Sequence, residues 1–190
     1  MARPRPGVSH RRAIDLPTRT ATYHRRVTRY PDGFDVVGPV QAEVFVVWLA
    51  VDHLELTGPC GPAPWLLELG TADHPVEVVT RIVRDSIGEP LLVHSTSWRR
   101  DRDAVILSFV VVIDQALVGS MASLPIARIT LARGEAAAAP RTIATAQVVE
   151  HGLRHMAWLA KDDPAVAAEL PAGWRTLLTE YVAEPFRNLG

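Results

Sequence analysis

Two histidines in the C-terminal part of the chain have a spacing that suits metal binding. His151 and His155 are four residues apart in a segment that predicts a helix, so both imidazoles would lie on one face. Such a pair can hold a transition metal if a third ligand is present. Spacing alone cannot place that ligand, for which the candidates are His53, His74, His94 and Glu150. The alternative is that His151 and His155 are interface or solvated side chains near Trp158.

Two further polar groups each have a functional and a structural interpretation. His94 and Ser95 suggest a base and a nucleophile, but neighbours on a strand point to opposite faces, so His94 cannot activate Ser95. Asp52, His53 and Glu55 follow a long apolar run. They are either the mouth of a site or an ordinary strand end.

A third polar group is rich in arginine. Arg99, Arg100 and Arg102 follow Trp98 and either bind an anion or form the solvated tip of a hairpin. Cys60 has no histidine or basic residue near it in sequence, so a reactive thiol is not predicted.

The elements that would position these residues include an amphipathic helix. Asp73 is predicted to cap it, and Pro75 suits its first turn, where a missing amide proton costs nothing. Gly88 and Pro90 end it. Apolar residues at spacings of three and four predict a buried stripe, formed by Val76, Val79, Val83 and Ile87. Charged residues at four-residue steps on the other side could pair with one another, namely Glu77, Arg81 and Asp85.

Strands flank this helix on both sides. Leu91–Trp98 and Ala104–Ile113 are rich in β-branched and aromatic residues and predict a hairpin with its turn at Arg99–Asp103. The second run is almost wholly apolar, so we expect it in the centre of a sheet, covered on both faces. Upstream, Val40–Leu56 is long for one strand and predicts a bulge or two strands that meet at a bend.

The pattern after the hairpin predicts a short strand and then helices. Leu124–Leu131 could form a strand with Pro125 at its start. A strong amphipathic helix follows at 145–163, with a face formed by Val149, Leu153, Met156, Ala157 and Ala160. Asp163 caps a short second helix, and a third begins after Pro171.

This order of elements predicts an α+β fold in which a mixed sheet packs against an amphipathic helix and a C-terminal helical extension follows. We expect a basic, flexible N-terminal segment at 1–30, an α+β domain at 31–133, a linker at 134–142 and the helical extension at 143–190.

The segment from Trp65 to Asp114 resembles the Nudix fold, in which a helix that carries a signature motif packs beside the sheet. Four residues match the arginine, the aliphatic residue, a glutamate position and the late glycine of that signature; they are Arg81, Val83, Asp85 and Gly88. Ile82 and Ser86 replace two of its glutamates, and Glu89 stands where an aliphatic residue is expected.

The resemblance implies a site on this helix, because Nudix glutamates bind magnesium for attack on nucleoside-diphosphate-linked substrates. The catalytic carboxylates would be Asp73, Glu77 and Asp85, with Asp85 and Glu77 as metal ligands. Arg81, Gly88 and Glu89 would complete the cofactor site, and the cofactor would be Mg²⁺ or Mn²⁺. One aspartate in place of a glutamate cluster makes a poor magnesium site. We therefore expect no cofactor, and an Asp85 side chain that faces a hollow without a metal.

Composition indicates a water-soluble globular protein, with 48% hydrophobic residues and a net charge of -1. We recognise neither an apolar run long enough to cross a membrane nor a secretory signal. Together with the single cysteine, this predicts a cytoplasmic protein. Eight arginines lie within the first 30 residues, but the remainder is net acidic, which argues against nucleic-acid binding.

The sequence therefore predicts a non-catalytic or weakly active Nudix-like module that binds a small ligand, nucleotide-like in character, or a protein partner. One alternative is a metal-dependent hydrolase of nucleoside-diphosphate derivatives, with a site built from Asp73, Glu77, Asp85 and Glu89. A second is a structural or homo-oligomeric protein assembled through its C-terminal helices, with anchors at Trp158, Trp174, Tyr181 and Phe186. No membrane partner is expected.

Overall fold

The computed structural model describes residues 28–29, 35–36, 38–59, 61–129, 131 and 143–183. The predicted N-terminal segment, apart from Thr28 and Arg29, and the predicted linker at 134–142 lie outside the described residues. The described part is α+β, with a mixed sheet of six strands and several helices, which confirms the predicted fold class. Within it, no helix combines the length and the apolar character that a membrane crossing requires.

The elements are as follows, in chain order within each type. The strands are β1 (Thr28–Arg29), β2 (Asp35–Val36), β3 (Val40–Leu49), β4 (Leu54–Thr57), β5 (Trp65–Leu69), β6 (Leu92–Asp101), β7 (Ala104–Val112) and β8 (Ser123–Pro125). The helices are α1 (Pro75–Ser86), α2 (Thr145–Asp162), α3 (Pro164–Glu169) and α4 (Ala172–Leu178). β1 pairs with β2, and the other six strands form one sheet.

The sheet is arranged around β3. One edge of β3 pairs in parallel with β7, while its other edge pairs antiparallel with β5 along the first half and with β4 along the second. β6 lies beyond β7, and β8 lies beyond β4. The segment Val40–Leu56 thus forms two strands, which agrees with one of the two predicted alternatives, but a reversing turn joins them into an antiparallel pair. β7 is central and largely buried, which confirms the expectation for the apolar run.

Alternate residues of β3 face two different helical layers, because successive side chains of a strand point to opposite sides. Ala42, Val44 and Val46 pack in the core beneath α1, whereas Phe45 and Val47 pack in the core beneath α2. The C-terminal helices therefore share a hydrophobic core with the sheet.

α2 lies unusually close to the sheet at one glycine. A Cβ atom at Gly152 would lie 2.5 Å from Cγ2 of Val110 and 3.2 Å from Cγ2 of Thr96. Glycine is needed there because any larger residue would push the helix away from the sheet.

Two of the four aromatic residues expected as oligomer anchors are buried inside the chain. Trp174 and Tyr181 are 2% and 6% exposed and belong to the core shared with α2. Trp158 is half-buried, and Phe186 lies outside the described residues. Trp174 and Tyr181 are therefore not available as anchors, because folding already buries them.

α1 begins and ends near the predicted positions, but the predicted cap is wrong. His74 occupies the N-cap position without a side-chain cap bond. Asp73 instead accepts a hydrogen bond from the Gly70 amide at 2.6 Å, which closes the preceding turn. The predicted stripe is wrong at Val76, which is 36% exposed. The buried face of α1 consists of Val78, Val79 and Val83.

The β6–β7 hairpin is confirmed, but its turn is shorter than predicted. The two strands stay paired to their ends, so the turn consists of Arg102, with a φ of 55°, and Asp103. The predicted turn at Arg99–Asp103 is wrong, since Arg99 and Arg100 belong to β6.

The remaining predicted elements agree in part with the structure. Asp163 caps α3 as predicted, by accepting hydrogen bonds from the amides of Ala165 and Val166. β8 is shorter than predicted and ends at Pro125 rather than beginning there. α4 ends at Leu178, short of the predicted length.

Candidate functional site

The carboxylates predicted for a metal site do not converge. Asp73, Glu77 and Asp85 are all exposed on or beside α1. Among the residues that the structure describes, no group of three or more His, Cys, Asp or Glu side chains could hold a metal ion. The described part therefore offers no group of three such ligands for the Mg²⁺ or Mn²⁺ that the enzyme alternative requires.

The residues predicted to complete that site have other roles. Arg81 is exposed. Glu89 accepts hydrogen bonds from Nε of Arg84 and, at 2.9 Å, from its Nη2, and these bonds lower the pKa of Glu89. Gly88 has a φ of 142°, and a Cβ atom there would lie 2.8 Å from Cδ2 of Leu117. The glycine is thus explained by backbone conformation and packing.

A cavity of about 250 Å³ lies on the opposite face of the sheet, beneath the N-terminal end of α2. Its lining residues come from four strands, the loop before β5 and the start of α2; they are Gln41, Glu43, Phe45, Pro64, Leu66, Arg99, Asp101, Ile106, Ile143, Thr145 and Val148. Asp85 is exposed on α1 and does not line this cavity. The expectation that Asp85 faces a hollow is therefore not met.

A buried ion pair forms part of the cavity wall. Arg99 donates to both carboxylate oxygens of Glu43, from Nη1 to Oε1 and from Nη2 to Oε2, the second at 2.6 Å. The Ser108 hydroxyl also donates to Oε1, at 2.5 Å. The Glu43 side chain is 4% exposed and that of Arg99 is 23% exposed. Charge-assisted bidentate contacts of this kind are stronger than ordinary hydrogen bonds.

The register of the central strands brings these residues together. Glu43 of β3 lies directly beside Ser108 of β7 in the parallel ladder. On β6, a β-bulge between Ser95 and Ser97 adds one residue, Thr96, and so changes which residues face α2. If β6 ran through Thr96 with regular alternation and no bulge, Arg99 would lie on the α1 side, because a one-residue shift moves every following side chain to the other face.

The charges in the cavity wall do not cancel. Glu43 raises the pKa of Arg99, first through their hydrogen bonds, and the nearby charge of Asp101 raises it further. Asp101 is exposed at the end of β6 and also lines the cavity. Among the described lining residues, two carboxylates and one guanidinium thus give a net negative charge.

The structure brings His151 and His155 together, with ring centroids 4.9 Å apart, and places His94 at 5.8 Å from His155. Despite this approach, the cluster is not a metal-binding group within the described residues. Burial, followed by the proximity of His155, lowers the pKa of His94 to about 4. The Nε2 atom of His94 is buried without a hydrogen-bond partner in the part of the chain that the structure describes. His94 is therefore packed as a neutral ring.

Asp52, His53 and Glu55 form a hydrogen-bonded chain at the bend between β3 and β4. His53 Nδ1 lies 2.8 Å from Asp52 Oδ1, and its Nε2 lies 3.1 Å from Glu55 Oε1. Hydrogen bonds to Asp52 and then Glu55 raise the pKa of His53. The Ser123 hydroxyl donates to Glu55, which ties β8 to β4. These contacts favour the interpretation as a strand end, since none of the four residues lines the cavity.

A second buried carboxylate holds the C-terminal region together. Glu150 is 1% exposed and accepts a hydrogen bond from Nε of Arg154 at 2.9 Å. Arg128 Nε lies 3.6 Å from Glu150, and the Arg128 guanidinium stacks 3.7 Å from the centre of the Tyr181 ring. These contacts join α2 to the segment after β8 and to the residues after α4.

Glu43 and Ser108 were not singled out from the sequence, although a signal was present. Each interrupts an otherwise apolar stretch in the interior of a strand. A lone carboxylate in a buried strand requires a cationic partner, because an unpaired buried charge is very unfavourable. For Arg99 the sequence predicts either a role in an anion site or a place in a solvated hairpin tip, and neither includes a partner on β3.

No protein-family model matches the chain, and no curated protein is significantly similar to it. The resemblance to Nudix proteins therefore stays a prediction. Function has to be argued from the geometry and chemistry of the site itself.

Proposed function

We propose that the chain is a non-catalytic module that binds a small ligand in the cavity beside Glu43 and Arg99. The observation that carries this proposal is the buried carboxylate–guanidinium pair in the cavity wall. A buried ion pair is weak support for stability, because desolvation offsets the attraction. Ionisable groups that converge on a concave surface lined in part by apolar residues are instead typical of binding sites.

The hydrogen bonds of the pair favour binding over catalysis. Glu43 accepts hydrogen bonds from Arg99 on both oxygens and from Ser108 on one of them. A general base needs a carboxylate that can reach the substrate proton. The Glu43 side chain is 4% exposed, and three hydrogen bonds already occupy most of its acceptor sites, so a substrate proton has little access to it.

The hydrolase alternative has less support. Phosphoryl transfer relies on metal ions that neutralise the charge of the transferred group. Asp73, Glu77 and Asp85 are exposed, and Glu89 is bonded to Arg84. An active enzyme would have to assemble ligands that the described residues do not bring together.

Filling the mouth of the cavity tests the binding proposal. Leu66 lines the cavity and is 59% exposed, so Leu66→Trp should occupy the mouth without disturbing the core. Val76→Trp, at an exposed position of α1, is the matched control. Fragments that raise the melting temperature of the unchanged protein should lose this effect in Leu66→Trp and keep it in Val76→Trp. Equal responses of the two variants would contradict the proposal.

The hydrolase alternative is tested with the same protein. Nucleoside-diphosphate derivatives would be incubated with Mg²⁺ or Mn²⁺, and product release measured for the unchanged chain and for Asp85→Ala. We expect no turnover in either. Turnover that Asp85→Ala abolishes would overturn the binding proposal in favour of the enzyme.

A further inference from the structure

We infer that the cavity takes small amphipathic amines and excludes anions such as phosphates and carboxylates. This inference rests on the proposed function, because it names the class of ligand that the same cavity would bind. It depends on the charge of the wall, on the bonds that hold Arg99, and on the apolar surface beside them.

The charge of the wall favours a cation. The carboxylate of Glu43 is matched by Arg99, whereas Asp101 adds a second negative charge at the rim. The side chain of Asp101 is exposed, so a ligand ammonium group can approach it from solvent. Gln41 and Thr145 add uncharged polar groups to the same lining.

The bonds of Arg99 explain why an anion would be excluded. Arginine is the usual partner of phosphate and carboxylate ligands, and Arg99 is the guanidinium in this lining. Its two terminal nitrogens already donate to Glu43. A ligand anion that captured Arg99 would leave the Glu43 carboxylate buried and unpaired, which is strongly unfavourable. Glu43 therefore already neutralises the charge of Arg99, and the remaining N–H groups of Arg99 offer an anion hydrogen bonds without a net positive charge.

The remaining wall suits the apolar body of a small ligand. Phe45, Ile106 and Val148 are buried in the structure and line the cavity, and Leu66 borders it. The volume of about 250 Å³ is slightly below the range of pockets for drug-sized molecules. An aromatic ring on a short chain that ends in an ammonium group would combine both requirements.

Three probes with the same body and different charge test the ligand class. They are 2-phenylethylamine as the cation, 2-phenylethanol as the neutral analogue and 3-phenylpropanoate as the anion. Dissociation constants would be measured at pH 7 by protein-observed NMR titration of the full chain. The amine should bind about fivefold more tightly than the alcohol, as a single exposed ion pair allows, and the anion should not bind.

Asp101→Asn should remove the preference for the amine over the alcohol and leave the binding of the alcohol unchanged. Asp103→Asn, in the adjacent turn and outside the cavity lining, is the matched control and should keep the preference. Binding of the anion as tight as that of the amine, or a preference that survives Asp101→Asn, would overturn the inference.

The outcomes also separate this inference from the proposed function. If the three probes fail but other fragments bind and are blocked by Leu66→Trp, the amine class is wrong and the cavity remains a binding site. If no fragment of any charge binds in a manner that Leu66→Trp blocks, both the inference and the proposed function are wrong.

Discussion

The charged residues of interest on the two sides of the central sheet differ in burial and in pairing. On the α1 face, Asp73, Glu77 and Asp85 have a spacing that resembles a known motif, yet all three are exposed. On the α2 face, Glu43 has no motif around it, yet it is buried and bonded to Arg99 beside a cavity. Spacing along a helix indicates which side chains could come together. Burial and pairing in the folded chain show which side chains are together.

The largest expected effect comes from removing the cation of the buried pair. Arg99→Ala leaves the Glu43 carboxylate buried and unpaired, so unfolding free energy should fall by about 3 kcal/mol, the low end for a buried pair because Arg99 is partly exposed. Arg81→Ala, on the exposed side of α1, should change it by less than about 0.5 kcal/mol. Urea unfolding followed by circular dichroism measures both.

A paired replacement sharpens this prediction. Changing both Glu43 and Arg99 to methionine removes both charges together, so most of the lost stability should return. Equal stability of the Arg99→Ala and Arg81→Ala variants would show that the two faces do not differ as described.

The next effect is a loss of stability at mildly acidic pH. The pKa of His94 falls from 6.5 in a solvated chain to about 4 in the folded protein. The unfolded chain therefore binds a proton at His94 that the folded chain does not, and stability falls as the pH is lowered from 6.5 through 4. With allowance for solvent screening, the loss at pH 4 is about 2 kcal/mol.

Unfolding measured across this pH range for His94→Gln and for His53→Gln isolates the contribution of His94. His94→Gln should weaken the dependence of the unfolding free energy on pH. His53→Gln should not, because the pKa of His53 is raised and its stabilising effect is fully present below 6.5. If the unfolding free energy of His94→Gln depends on pH as that of the unchanged chain does, the neutral packing of the His94 ring is contradicted.

A smaller effect concerns how closely α2 approaches the sheet. Gly152→Ala would place a methyl group against Val110 and Thr96. Crowding should outweigh the gain in helix propensity and lower stability by about 1–2 kcal/mol. Gly173→Ala is the control, because its Cβ would meet the end of the flexible Leu49 side chain. Thermal unfolding should show a decrease for the first variant and little change or an increase for the second.

The smallest effect is expected at the residue that the motif resemblance emphasised. Asp85 is exposed and does not line the cavity. Asp85→Ala should therefore change stability by less than about 0.5 kcal/mol and should leave fragment binding unchanged. A clear loss of fragment binding, measured by thermal shift, would mean that the α1 face contributes to the site after all.

The local elements could be predicted from the sequence, whereas the site could not. Pro75, Gly88 and the apolar periodicity define α1, and the two β-branched runs around Arg102 define the hairpin. These signals act over a few residues. The meeting of Glu43 with Arg99 depends instead on the parallel register of β3 with β7 and on the bulge at Thr96. Neither has a local signature, and a one-residue error in the bulge would send Arg99 to the other face.

The errors at Asp73 and at Trp174 and Tyr181 have different causes. Residue preference predicts Asp73 as the cap, but its carboxylate accepts a hydrogen bond from the Gly70 amide, and His74 occupies the N-cap position. Trp174 and Tyr181 were expected to be free for a partner, but α2 and the sheet provide a surface that buries them. The cap is thus decided by a competing turn within the same segment, whereas the burial of Trp174 and Tyr181 depends on residues distant in sequence.

The proposal that the cavity binds a small ligand is tested by mapping the binding position with NMR chemical-shift perturbation of the full chain. If the ligand binds in the cavity, the perturbed amides should cluster around Leu66, Ile106 and Val148, which line it. Perturbations centred on Asp85 and the exposed side of α1 would contradict the proposal.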